Sequence, residues 1–334
     1  MKKIVVQQLA DSLELSRVTV WKVLNQRPGV APETTQRVLA AIEKLQQESD
    51  SDGGEKQIAV ADVKNITLIA SRANSSLFWM SIVDQIANVM NTKGIQLNYI
   101  PMNITEMSVA NLRAMLQPDK TNGLISINVY DKRTISAVSE ANVPKVFFDT
   151  LPGLTPDDLR GDLILLEGEQ IMEEVTRSVI DRGCRRIGFI GDIHYAQTNL
   201  LRWNGFINAM ERGNVPVNHK YCFIGPILNY PEQISAFLDG LPDLPEAFVC
   251  VSDFVAFRVF NLLNDRRCRI PDDLILTGYD DAREFLLDHH GVTSVHVRNG
   301  LLGKRMASQL FYRIENPTAD YEEIQVRPKI VFRS

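Results

Sequence analysis

Residues 65–102, NITLIASRANSSLFWMSIVDQIANVMNTKGIQLNYIPM, decide the fold. The run NITLIAS is apolar without alternation, which suits a strand covered on both faces rather than one with a wet side. Residues 76–92 then carry apolar side chains at helical spacing, and GIQLNYIP at 94–101 begins a second extended run. This β-α-β unit continues with a helix at 106–117, a strand in GLISIN (123–128), a helix at 132–141 and a strand in KVFFD (145–149). The rhythm is expected to restart with DLILL at 162–166. A helix at 168–182, RRIGFIGD (185–192), a helix at 199–213, CFIG (222–225), a helix at 231–239, AFVCVS (247–252), a helix at 253–266 and LILTGYD (274–280) follow. A strand at 292–297, a helix at 299–315 and a terminal strand at 322–333 complete it. Strands that alternate with helices form parallel sheets with helices on both faces. The expected class is therefore α/β, with two doubly wound parallel-sheet lobes over residues 64–334.

On the N-terminal side the texture changes. The stretch QQESDSDGGEKQIAVAD at 46–62 is polar and acidic, and its Gly53–Gly54 pair opposes regular structure, so residues 48–63 read as a linker. Residues 1–47 form a separate head. They carry net charge +3, against −8 for the remainder, so a nucleic-acid surface, if present, is local to the head. The start MKKIVV is followed by Gln7, Gln8 and Asp11 rather than an apolar run, and no stretch approaches the roughly 20 apolar residues of a membrane span. A cytoplasmic protein without membrane association is expected. Cys184, Cys222, Cys250 and Cys268 show no CxxC pairing and no His at ligand spacing, so they read as reduced thiols, with no metal and no cofactor.

Within the head, Val6, Leu9, Ala10 and Leu13 stand at helical spacing, and Ser16 is a good N-cap for a second helix beginning at Arg17. Val20, Val23 and Leu24 form its inner stripe, leaving Arg17, Val18, Trp21 and Lys22 on the remaining surface. A third helix has Pro32 in its first turn and Val38, Leu39, Ala41, Ile42 and Leu45 as its stripe. Two short helices joined tightly suit an all-α helix-turn-helix headpiece. By spacing alone, a small helical docking domain with solvated cations is the plain alternative. The string VVQQLADSLELSRVTVWKVLNQRPGVAPETTQRVLAAIEKL (5–45) resembles the headpiece of LacI/GalR-type transcription regulators, sharing Ala10, Ser16, Thr19, Val20, Val23, Leu24, Asn25, Val30, Thr35 and Val38. The resemblance implies a reader of double-stranded operator DNA. Arg17 would chelate guanine and Val18 pack on a thymine methyl, while Ser16, Thr19, Trp21, Lys22 and Asn25 contact phosphates or base edges. Trp21 and Lys22 stand where the family usually has Ser and Arg, so an operator sequence does not carry over. The acidic Glu48, Asp50, Asp52 and Glu55 replace the family's hinge helix, which argues against minor-groove insertion.

The resemblance continues through RRIGFIGD, RWNGF (202–206), SDFVAF (252–257), RIPDDLILTGYDD (269–281), GVTSVHV (291–297) and RPKIVFRS (327–334), and implies a periplasmic-binding-protein-like core. Parallel sheets bind ligands beyond the carboxyl ends of their strands, where Ser71, Asn128, Asp149, Asp192, Asp253 and Asp280 fall. By family pattern Asp149, Arg202, Asp253 and Asp280, with Phe78 in the loop after the first strand, would contact an effector, and Asn128 joins them by its strand-end position. Carboxylates accept from hydroxyls and Arg donates as a fork, so a sugar or sugar phosphate suits the set. Each strand-end Asp also has a plain reading as a helix cap. Thr150, the run LLEGEQ (165–170) and Arg258 depart from the family pattern. No GxSxG, HExxH or P-loop is present, and His289–His290 have no acid or Cys partner at catalytic spacing, so no enzyme is expected. The resulting expectation is a homodimeric, ligand-controlled repressor of carbohydrate-related genes. The alternatives are a regulator governed by a partner protein with an unused cleft, and a sugar-binding module with a vestigial head.

Overall fold

The computed structural model describes residues 10, 13, 15–24, 27, 29–38, 40–41, 60–71, 76–102, 108–285 and 291–333. The chain divides into two compact units, Met1–Gln57 and Ile58–Ser334.

In the first unit, helix α1 (Arg17–Leu24) begins behind Ser16, whose Oγ accepts the Thr19 amide at 3.1 Å. Ala10, Val20, Val23 and Val38 are buried together, with Leu13, Leu15, Val30 and Ala41 packed around them. Residues 32–38 and 40–41 are helical. The small core thus draws on all three segments expected to be helices. Asn25, most of the first helix, and linker residues 48–59 lie outside the described residues.

The second unit builds two lobes. The first contains β1 (Asn65–Ser71), α2 (Leu77–Thr92), β2 (Gln96–Met102), α3 (Val109–Met115), β3 (Leu124–Ile127), α4 (Lys132–Ser139), β4 (Lys145–Phe148), α5 (Pro156–Leu159) and β5 (Asp162–Leu166). The second contains α6 (Glu169–Asp181), β6 (Ile187–Ile190), α7 (Gln197–Arg212), α8 (Tyr230–Asp239), β7 (Ala247–Cys250), α9 (Asp253–Asp265), β8 (Ile275–Thr277) and β9 (Ser294–His296). Last come α10 (Asn299–Glu315), β10 (Glu323–Val326) and β11 (Lys329–Val331). The large sheet runs β10-β5-β4-β3-β1-β2 and all its pairings are parallel. The second sheet, β6-β7-β8, is also parallel, and β9 pairs antiparallel with β11. Every residue of β3, β4, β5, β6 and β7 is buried, as strands covered on both faces require.

Three expectations are corrected. DLILL does not open the second lobe: β5 pairs with β4 and closes the first. CFIG is no strand, because Phe223 meets Ile190 in a single bridge after a short 3₁₀ turn at His219–Tyr221. The single terminal strand is two. Pro328, lacking an N–H, separates β10, which joins β5 in the first lobe, from β11, which joins β9 in the second. Periodicity reports burial but not which sheet receives a strand. Helix α10 returns to the first lobe and packs on α2, where a Cβ on Gly303 would lie 2.8 Å from the Ile82 carbonyl. The chain therefore passes between lobes after Leu166, ahead of α10 and at Arg327–Pro328. Among the described residues no helix is long and apolar enough to cross a membrane.

Candidate functional site: a cleft between the lobes

The carboxyl ends of the strands of both lobes face a shared cleft of about 410 Å³. Several strand-end residues reach it through unusual backbone. Asn128 (φ 55°), Asp149 (φ 62°) and Asp280 (φ 107°) lie in the left-handed region that non-glycine residues rarely adopt, and such strain is held where the surroundings over-determine it. Of the six predicted effector residues, Phe78, Asn128, Asp149, Arg202 and Asp280 line the cleft. Phe78 does so from the first turn of α2 rather than from a loop.

Asp253 does not line the cleft. Nor does it cap α9, since Ser252 Oγ accepts the Val255 amide. Its Oδ1 accepts from Ser294 Oγ at 2.7 Å and its Oδ2 from the Ala282 amide at 2.8 Å, so it fixes the loop that carries Asp280. Burial pushes its carboxyl up to about 6, against the lowering effect of those two bonds. Asp281 turns away from the cleft to Arg333 Nη2 at 2.6 Å and His296 Nδ1 at 2.9 Å. These partners hold its carboxyl below the usual range despite burial.

Arg202 projects from α7 and is 5% exposed. Its Nη1 donates to the Val251 carbonyl at 2.7 Å, its guanidinium lies 3.6 Å above the Tyr279 ring, and its Nη2 stands 3.9 Å from Asp280 Oδ1. Its Nε has no hydrogen-bond partner among the described residues. Asp280 lines the cleft and keeps 22% of its side-chain surface. Burial therefore pushes its carboxyl up to about 7. Arg202 opposes the rise, while Asp253 and Glu284 add to it. The pair has one strong donor and one strong acceptor with capacity to spare.

Asp149 is differently employed. Helix α7 starts at Ala196, which has no capping side chain, and the missing acceptor comes from the other lobe: Asp149 takes the amide and the hydroxyl of Thr198. It also accepts from Thr150 N at 2.8 Å and Tyr130 Oη at 2.9 Å. Burial raises its carboxyl, and these donors pull it back. Tyr130 in turn packs on Tyr195 of the second lobe, with ring centroids 4.5 Å apart. A second bond across the cleft runs from the Leu77 amide to Glu284 Oε1 at 3.1 Å. Thr198, Tyr130, Tyr195 and Glu284 were not singled out from the sequence. Their only signal is position, since each follows a strand or opens a helix at the carboxyl edge.

The geometry offers few tools for bond-making chemistry. Among the described residues no group of three His, Cys, Asp or Glu side chains could hold a metal ion, and Cys184 and Cys250 are buried free thiols. In the head, Arg17 and Val18 are exposed on the first turn of α1, Val18 at 62%, and Ser16 and Thr19 hydroxyls lie 2.8 Å apart beside them.

Residues 176–334 match the model of the periplasmic binding protein-like domain. The whole chain is 26% identical to the HTH-type transcriptional repressor PurR of Mannheimia succiniciproducens, covering 98% of this chain and 97% of that one. Over nearly its whole length the chain is thus similar to LacI/GalR-type regulators. Solved structures agree on the fold. The transcriptional regulator CelR in complex with cellobiose superposes with a TM-score of 0.71 at 21% identity, over 99% of both chains. The Lac repressor dimer bound to operator and the anti-inducer ONPF gives 0.66 at 17%, over 99% of this chain and 98% of that one.

Proposed function

We propose that the protein is a transcription regulator of the LacI/GalR type that represses from a pseudo-palindromic operator as a homodimer, and that a sugar or sugar phosphate held between the lobes controls it. The reading divides the chain into a DNA-binding headpiece (1–47), a linker (48–63) and an effector-binding and dimerisation core (64–334). It rests on one combination: an exposed, Ser16-capped turn bearing Arg17 and Val18, in the same chain as an enclosed cleft whose Arg202 and Asp280 are not saturated. Arg17 and Val18 read base edges, and Ser16, Thr19, Trp21, Lys22 and Asn25 set register on the backbone. One small head neutralises too few phosphates for operator affinity, and a dimer gains the second half-site at high effective concentration. In the cleft, Arg202 donates to a ligand hydroxyl and Asp280 accepts from its neighbour, while Asn128 presents its amide and Phe78 an apolar face. Ligand contacts to both lobes bias their closure. By linkage, ligand and operator affinities then change each other by the same factor.

Selection of bound sequences from random duplexes, repeated with a panel of sugars and sugar phosphates at one salt concentration, tests this. The expected result is a palindromic motif whose recovery depends on one ligand. A motif indifferent to every ligand, and unchanged in Arg202→Ala, replaces cleft control with control by a partner protein.

A further inference from the structure

The helix starts at the carboxyl edge of a doubly wound sheet are ready-made anion sites, because their first N–H groups are unpaired and the helix dipole is positive there. In this core the protein's own side chains have taken them. Asp149 occupies the start of α7 through Thr198. Glu167 accepts the Gln170 and Ile171 amides at 2.7 and 3.1 Å at the start of α6, where Gly168 offers no cap. Glu284 accepts the Leu77 amide at the start of α2, whose Trp79 amide goes to Ser76, and Ser252 accepts from Val255 at the start of α9. Three of these four helix starts therefore already hold a carboxylate.

The cleft wall points the same way. Asp149, Asp192, Asp280 and Glu284 line it, and Arg202 is the one Lys, Arg or His among the described lining residues. That guanidinium donates through Nη1 to the Val251 carbonyl and stacks on the Tyr279 ring, so it offers a ligand only its remaining N–H groups, beside Asp280. Asp192 is fixed by the His194 and Ile227 amides at 3.0 and 3.3 Å, so it cannot swing away from an incoming group without leaving two donors unpaired. A phosphate brought into this space would meet the carboxylates of Asp192 and Glu284 and the carboxyls of Asp149 and Asp280, and among the described lining residues one guanidinium to offset them.

We infer that the cleft discriminates by charge, and that its effector is an uncharged polyhydroxyl compound rather than a phosphorylated one. Hydroxyl hydrogens satisfy the carboxylate acceptors, and the apolar faces of sugar rings pack on the aromatic walls supplied by Tyr130, Tyr195, Phe254 and Phe285. The inference rests on the reading of the cleft as the effector site and narrows it.

Thermal unfolding of the full-length protein, at fixed ionic strength, is measured with glucose, maltose, cellobiose and trehalose, with glucose 6-phosphate and trehalose 6-phosphate, and with inorganic phosphate. The expected result is a rise in Tm with at least one uncharged sugar, with its 6-phosphate needing at least about tenfold higher concentration. Inorganic phosphate should have no effect beyond that of chloride. In Asp280→Asn, measured at pH 8 where that carboxyl is ionised, the loss of its negative charge from the wall should narrow the gap between a sugar and its phosphate. A phosphorylated sugar that stabilises the wild-type protein as well as its parent does, with the gain lost in Arg202→Gln, overturns the charge inference and leaves the cleft reading standing. A gain that survives undiminished in both Arg202→Gln and Phe254→Ala places the ligand elsewhere, and the cleft reading falls. No gain with any sugar, charged or not, also counts against the cleft reading.

Discussion

Asp280 and Asp253 are acids that folding makes weaker. Their carboxyls move from an ordinary value near 3.8 up to about 7 and about 6, with burial as the largest cause in each. The folded chain therefore holds these protons more tightly than the unfolded chain does, and stability falls as pH rises between about 4 and 7. Above that window the loss is complete, and below it the contribution is fully present. The pH dependence of Tm should show this slope, and Asp280→Asn should flatten its upper part. In the cleft the sign reverses. A ligand that donates hydroxyls to Asp280 favours the ionised carboxyl, so binding releases a proton and tightens from pH 6 to pH 8, which calorimetry in buffers of different ionisation enthalpy would detect. In the head, Arg17→Ala is expected to cost about 1–3 kcal/mol on the operator and to relax preference at one symmetric base pair. Lys22→Ala should weaken operator and random duplexes alike, as titrations at one salt concentration would show.

At the scale of elements, what stands out is caps supplied by distant residues. Helix α7 has Ala196 at its start and is completed by Asp149 from the other lobe. Thr198→Val removes the hydroxyl donor from a buried carboxylate, and urea unfolding should show a loss of about 1–3 kcal/mol. Because the bond crosses the cleft, scattering should also show a more open core in that variant. Asp253→Asn is expected to loosen the loop bearing Asp280 and so to weaken ligand binding without touching the ligand. The elements themselves were largely legible, because NITLIAS, GLISIN and KVFFD announce buried strands through unbroken apolar runs. Phe78, Asn128, Asp149, Arg202 and Asp280 were placed at the cleft by the strand-end rule and family pattern together. Asp253 obeys the same rule and yet faces inward to Ala282 and Ser294, since position after a strand does not say which way a side chain turns.

For the whole molecule, the lobes are joined by a chain that passes between them repeatedly and by the bonds Asp149 to Thr198 and Leu77 to Glu284 across the cleft. The linker belongs to this scale as well. With Glu48, Asp50, Asp52 and Glu55 and a Gly pair where LacI/GalR-type sequences carry their hinge-helix residues, operator DNA is expected to stay nearly straight in the complex. Phased-bend gel analysis checks this, and a large bend would contradict it. The sequence by itself determined the alternation of strands and helices, the helical head and its exposed first turn, and the family resemblance. Those properties follow from local periodicity, capping and composition. Only the tertiary structure decided that β5 belongs to the first lobe, that the final strand is shared between lobes, and that Asp149 is spent on a helix of the opposite lobe. Such choices depend on which distant surfaces meet, and a pattern that reports burial contains no record of the partner that does the burying.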